Sequence, residues 1–431
     1  MIALAIKLLL LVVAAAVAAV AIAVVNRRPS VGLCAVLLTI AFVPVWITLL
    51  PINTYVAPAT IVCYVVLVGL LPRSSGRLVS GDLLVLAAFL LITLGVLVGT
   101  PRLYVVQTLW LEAFPAYCVG RVAAELVGGR TISRMVAGIW AVIAVLALAE
   151  WVTGTNLFTY LHASNSLYSQ WAVIQERAGR PRVEGAFGHS IALGVALAAG
   201  VPFVAAAPWR PRRRLAVLLL LVLATVPTLS RTGMLCAVLA VIVSLLLLRT
   251  DLGASARVLG VGALALAAVA VLPRLLSVFA EAGTEQADSA DYRGNLLVLV
   301  SRLLPLGSSP IAVSNGSTLT WGGFESIDNE VLASALRSGW VPVALMLVGL
   351  AVLVGRVLLG RGGPAQIALV CLIPAFVTVA FITQLGTLVW LLAGLAVGDG
   401  VRASPPDAHT AAASVADRDA QVDRRVGRTV A

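Results

Sequence analysis

The stretch from Gly179 to Ser190, GRPRVEGAFGHS, gathers Arg180, Arg182, Glu184 and His189, and apolar sequence resumes at once. Two groups of similar character follow: Ser230 with Arg231 in LSRTG, and Arg293 with Asp328 and Asn329. Arginine stays charged and presents a planar fork of donors that fits phosphate oxygens in pairs. Several arginines converging on one pocket would suit a pyrophosphate leaving group, stabilising the charge that grows as the bond to it breaks. A carboxylate or imidazole beside them, Asp328 or His189, would take the proton from an attacking hydroxyl. No Cys/His set has zinc spacing and no acidic cluster near these groups suggests a divalent ion. The expected site is therefore free of metal and of other cofactors, with arginine as the charge partner.

Each residue also has a structural reading. Arg180 would serve equally as a solvated loop residue, and His189 as the start of its helix. Arg182 abuts an apolar run and is costly to hold there without a role. Arg231 lies in a turn that the charge pattern of the chain would leave neutral. Asp328 is a natural cap for a short helix after it. Glu112, inside the fifth apolar run, is either functional or the partner of Arg121.

The elements that must position these groups are set by hydropathy. The chain is 61% hydrophobic and 11% charged, with a mean hydropathy of +1.04. Its apolar runs are long enough to cross about 30 Å of hydrocarbon as helices, and they lack the short alternation of a β-barrel. The first run, Ile2 to Val25, is too long for a signal peptide and has no clear cleavage site, so it reads as a retained span. The expected fold is all-α, a polytopic transmembrane helix bundle of about 12–13 spans. The spans run roughly 2–25, 31–50, 54–72, 82–100, 104–120, 133–152, 189–207, 213–228, 233–248, 256–273, 340–357, 365–381 and 383–398. Together they form a single domain over 1–400. The five cysteines lie in apolar runs without paired spacing, which excludes a disulfide framework.

The net charge of +11 does not indicate nucleic acid. Basic residues sit in short loops: Arg27/Arg28, Arg73/Arg77, Arg130/Arg134, Arg210 with Arg212 to Arg214, Arg249/Arg257 and Arg356/Arg361. They mark every second connection, which makes those loops cytoplasmic. The N-terminus is then outside, and the two long connections, 151–188 and 274–339, are extracytoplasmic. The tail, 401–431, would be cytoplasmic and disordered, and its Asp417-Arg418-Asp419 reads as chance. In the second long loop, Asp288 to Asp291 would start an amphipathic helix with Tyr292, Leu296, Leu299, Val300 and Leu303 on its apolar positions. Arg293 and Arg302 would fall on its opposite faces. A half-helix is expected from Asn329 to Arg337, broken at Ser338-Gly339 and Pro342.

RPRVEGAFGHSIALG resembles the Arg-x-x-Gly-x-Phe-x-His stretch of the O-antigen ligase and O-antigen polymerase-like superfamily. LSRTGMLCAVLA resembles its Ser-Arg-[Ser/Thr]-Gly turn, and YRGNLLVLVSRLLPLGSSP with SIDNEVLASALRSGWVP resembles its long outer loop. The resemblance covers roughly Arg180 to the last span. It implies a metal-independent glycosyltransferase of the cytoplasmic (inner) membrane that serves cell-envelope biogenesis. Its donor would be a glycan on an undecaprenyl-type (polyprenyl) diphosphate, its acceptor a glycan or lipid, and its surroundings membrane lipids. By position, Arg182, Arg231 and Arg293 would hold the diphosphate, with Arg180 and Asn329 as further contacts and Asp328 and His189 as catalytic groups. Asp328 stands where the ligases carry histidine, which leans towards the polymerase branch. The Gly-x-Gly after the loop helix is degraded to Gly307-Ser308-Ser309.

Two other classes remain as alternatives. A transporter or flippase of lipid-linked oligosaccharide would place ionisable residues mid-span and show repeated halves, whereas here no repeat is seen and polar residues gather in the loops. An assembly scaffold would tolerate exchange of the arginines.

Overall fold

The computed structural model describes residues 2–48, 56–98, 103–177, 179–248, 258, 262, 292, 294–315 and 318–402. Arg293, most of the expected span at 256–273, the helix start at Asp288 to Asp291 and the tail after Arg402 lie outside them. The described chain is mostly helical. Among the described residues, three helices are long and apolar enough to cross a membrane: α4 (Ser80–Val98), α7 (Gly129–Thr153) and α13 (Trp340–Leu358). Other helices accompany them: α1 (Ile2–Arg27), α2 (Pro29–Phe42), α3 (Pro58–Leu70), α5 (Leu103–Thr108), α6 (Phe114–Val127), α9 (Ser190–Ala206), α10 (Pro211–Thr225) and α11 (Arg231–Leu247). Leu and Val side chains such as Leu97, Val152 and Val352 are exposed on the three long helices, a surface suited to hydrocarbon rather than water.

Helix α9 is central. It is buried along nearly its whole length, and small residues let its neighbours approach closely, the usual packing device of helices in lipid. Gly194 sits against Gly233 of α11, and Gly200 receives the ring of Trp140, whose Nε1 donates to Ala196 O at 2.6 Å. The same device joins α6 to α16 (Leu385–Arg402) at Gly120, Gly394 and Gly398. A Cβ on Gly394 would overlap the carbonyl oxygen of Tyr117, which belongs to a helix backbone and cannot yield. Gly394→Val is accordingly expected to destabilise the protein by about 3 kcal/mol, the upper part of the usual overpacking range. Thermal unfolding in detergent reads this directly, and an unchanged midpoint would refute the close crossing.

One buried ion pair sits beside that crossing. Arg121 pairs with Asp82 at 3.1 Å and with Glu125 at 3.7 Å, and Tyr117 donates its hydroxyl to Asp82 at 2.6 Å. Of the two readings of Glu112, the pairing with Arg121 is not observed among the described residues, since Arg121 is engaged by Asp82 and Glu125. Aspartate at the first turn of α4 lies closer to the guanidinium and also caps its own helix through Val79 N. The run at 104–120 is likewise not one regular helix. A π-helical turn, Leu109–Ala113, separates α5 from α6 and contains Glu112. Helix α2 stops at Phe42, before Pro44, instead of running to 50, since a residue preceding proline is pushed out of the helical region.

The described parts of both long loops are folded. In 151–188, α8 (Ser166–Trp171) precedes a two-residue hairpin, β1 (Glu176–Arg177) with β2 (Arg180–Pro181). In the second loop the expected amphipathic helix is α-helical at Tyr292 and 294–296 and tightens to a 3-10 helix over Leu297–Arg302. Leu296 and Leu299 are buried as expected, but Val300 is exposed, because three residues per turn rotate it off the apolar face. A hairpin, β3 (Ala312–Asn315) with β4 (Thr318–Trp321), occupies the Gly/Ser/Thr-rich stretch. It shares a small core with α12 (Glu330–Ser338) through Trp321, Ile327, Leu332 and Leu336. The half-helix is therefore present, and Gly339 (φ 93°) turns it into α13 where a Cβ would strike the Pro305 carbonyl.

Candidate functional site

The last apolar stretch is broken rather than continuous. Helices α14 (Pro364–Cys371) and α15 (Ile373–Thr378) are separated from α16 by an irregular segment, 379–384. Pro374 sits in the first turn of α15, an extended Val379 ends it, and Thr383 adopts the left-handed region at φ 54°. A β-branched residue there is strained, and such strain persists only where the surroundings enforce it.

Three elements do so. At the start of α12, Glu330 accepts from the backbone N–H of Phe381 at 2.7 Å through one carboxylate oxygen. Its other oxygen accepts from Ser334 at 2.9 Å and faces Arg337 at 3.4 Å. Thr232, in the first turn of α11, meets Thr378 at 3.0 Å. Gln384 donates to Val43 O at 2.7 Å and to Ala186 O, in the turn before α9, at 3.0 Å. The start of α12, the first turn of α11 and the turn before α9 are thus tied to residues 378–384, just before α16 begins. Each such end carries partial positive charge and favours an anion.

On one side of this segment lies a groove of about 670 Å³ between α4, α12, α13 and α16, lined mainly by apolar side chains. Glu330, Arg337 and Thr383 line one end, Glu112 lies along its wall, and Arg356 and Gln366 line the other end. Among the described residues, the Thr383 Oγ1 and Gln384 Oε1 atoms are buried without a hydrogen-bond partner.

None of the described expected site residues lines this groove. Arg182 is half-buried and donates from Nε to Thr228 O at 2.9 Å, while Arg177 donates to Leu229 O at 2.9 Å. The Arg182 and Ser230/Arg231 groups are therefore neighbours. Ser230 caps α11 by accepting from Gly233 N at 3.1 Å. Arg180 is exposed on β2. His189 caps α9, its Nδ1 accepting from Ile191 N at 3.2 Å, with Trp171 edge-on to its ring. Asp328 is not the cap of α12. That position is Asn329, which accepts from Leu332 N at 2.9 Å, one residue later than expected. Asp328 instead accepts from Ser326 at 2.9 Å. Arg302 is exposed. Glu330, Arg337, Thr383 and Gln384 had not been singled out. The signal for the first two was present, since Glu330, Ser334 and Arg337 recur at helical spacing on one face.

Burial tunes the groups ahead of α9. It lowers Arg182 to about 10, helped by the nearby charge of Arg177, so that residue stays cationic at neutral pH. It raises Glu184 to about 7, reinforced by Glu150. It lowers His189 to about 4, with Arg182 adding to the effect. The neutral imidazole uses Nδ1 as acceptor and therefore carries its proton on Nε2.

These shifts act on stability with opposite signs. Glu184, raised from 4.5, contributes stability below that value that is lost as pH rises towards 7. His189, lowered from 6.5, contributes stability above that value that is lost as pH falls towards 4. The two offset each other in wild type. Glu184→Gln is expected to leave a stability that falls on acidification through this window. His189→Asn, which keeps a capping side chain, should leave one that falls on alkalinisation. Unfolding midpoints measured across the window check both slopes, and parallel profiles for the two variants would contradict the assignment.

No protein-family model matches the chain, and neither a curated protein nor a solved structure does.

Proposed function

We propose that this chain is a multi-pass glycosyltransferase of the cytoplasmic membrane. It transfers a glycan from a polyprenyl-type diphosphate carrier to a glycan or lipid acceptor on the outer face, as a polymerase or ligase of O-antigen or exopolysaccharide. The observation that carries this reading is the apolar groove ending against a broken segment to which several helix N-termini are tied. A prenyl chain suits the groove, and its diphosphate suits the broken segment. Arg182 supports the assignment, because its Nε bond to Thr228 pins the guanidinium and orients the remaining fork for a phosphate. Arg231 opens α11 beside it, and Arg293, outside the described residues, completes the proposed cationic set.

Between the two candidate bases, geometry favours Asp328. A neutral His189 whose Nδ1 is already an acceptor offers a donor at Nε2, so it would bind the substrate rather than deprotonate it. Asp328, just ahead of α12, accepts from Ser326, its one side-chain bond among the described residues, which leaves the other oxygen for a substrate proton.

A second reading is favoured by one specific feature. The groove continues from Glu330 to Arg356 at the opposite end of α13, a path that would suit a lipid translocase. A deletion strain separates the readings. Carrier-linked single repeat units on the outer face indicate a polymerase, and full-length chains on the carrier indicate a ligase. Accumulation confined to the cytoplasmic face indicates a translocase and overturns the transferase reading. Because arginine is the proposed charge partner, transfer in detergent is expected to survive EDTA. Loss on chelation with recovery on adding magnesium would refute that role.

A further inference from the structure

Arg356 lies in the last turn of α13, at the end of the groove away from the broken segment. Its Nε is buried and has no hydrogen-bond partner among the described residues. The groove residues around it, Val79, Ser80, Gly81, Leu353, Gln366 and Val397, include no carboxylate. Gln366 is already engaged, donating to Ala396 O at 2.8 Å and accepting from Gly363 N at 3.4 Å. Arg356 as a whole is partly exposed, and Asp399, which packs against Gly363 at the same end, does not line the groove, so an anion entering the groove would meet the guanidinium rather than a carboxylate.

We propose that this end of the groove is a binding site for an anionic diacyl phospholipid, with its phosphate on Arg356 and its chains along α13 and α4. Charge complementarity selects the headgroup, and the apolar walls select a lipid over free phosphate. A lipid seated this way points its tail towards Glu112, opposite to a carrier whose diphosphate sits at Thr383. The site stands whether the groove serves transfer or translocation.

Native mass spectrometry of the full chain in detergent, titrated with dioleoylphosphatidylglycerol, tests it. Arg356→Gln should weaken retention by about tenfold or more. Arg361→Gln removes a charge near the same end of α13 but outside the groove lining, and should leave retention unchanged. Val352→Trp, one turn from Arg356 on the groove wall, should weaken retention without touching the guanidinium, which keeps the test decisive if the glutamine variant does not fold. Inorganic phosphate should not displace the lipid. Equal losses in the Arg356 and Arg361 variants would reduce the effect to diffuse interfacial charge and overturn the site. Wild-type retention in Arg356→Gln or Val352→Trp, or displacement by inorganic phosphate, would do the same.

Discussion

Glu330→Ala is expected to lower transfer by about a hundredfold, equivalent to about 2.7 kcal/mol of lost transition-state stabilisation. The carboxylate joins α12 to the broken segment through Phe381 N and holds Ser334 and Arg337 on its other oxygen. Truncation leaves the Phe381 amide without its acceptor, which alone costs about 1–3 kcal/mol where water is excluded. It also frees Arg337 and relaxes the segment that keeps Thr383 strained. Glu330→Gln retains one acceptor for Phe381 and should lose about tenfold. Assays at matched protein levels in membranes distinguish these outcomes. Activity in the alanine variant within twofold of wild type would mean that the broken segment does not shape the site.

The second large effect concerns the arginines. Arg182→Lys and Arg231→Lys are each expected to cut turnover by about tenfold or more, at about 1.4 kcal/mol per tenfold. Lysine keeps the charge but is a single point donor without a fork. In place of Arg182 it would reach Thr228 O or a phosphate, not both. Arg302→Lys should be near neutral, since that side chain is exposed on the 3-10 helix. Asp328→Asn completes the set. Asparagine still accepts from Ser326, so a structural Asp328 predicts little change, whereas a general base predicts collapse because an amide cannot take the proton. Full activity there would move the base elsewhere.

Much of this arrangement was legible in the residues. Hydropathy alone marked the long apolar helices, and the half-helix after Asn329 followed from Gly339 and Pro342. The proximity of Arg182 to the LSRTG turn was readable from their shared chemistry. Other features were not, for identifiable reasons. The cap of α12 shifted from Asp328 to Asn329 because adjacent Asp and Asn are nearly equal as caps, and local sequence does not rank them. Asp82 displaced Glu112 as the partner of Arg121, a pairing 39 residues apart that only the packing of α4 on α6 reveals. Hydropathy placed a boundary between the spans at 365–381 and 383–398, but not the irregular backbone held over 379–384. Its cause is the long-range bonds of Gln384 and Glu330, not a run of Gly or Pro. The hairpin at Ala312–Trp321 was obscured by small polar residues that read equally as a linker.

Reconstitution tests the central claim most directly. Purified protein in proteoliposomes would be given a polyprenyl-diphosphate-linked oligosaccharide and an acceptor glycan, with EDTA present throughout. Transfer predicts cleavage of the bond between sugar and diphosphate, release of the free polyprenyl diphosphate, and appearance of the glycan on the acceptor. Movement of the intact lipid-linked glycan between leaflets, with the sugar–diphosphate bond preserved, would contradict it.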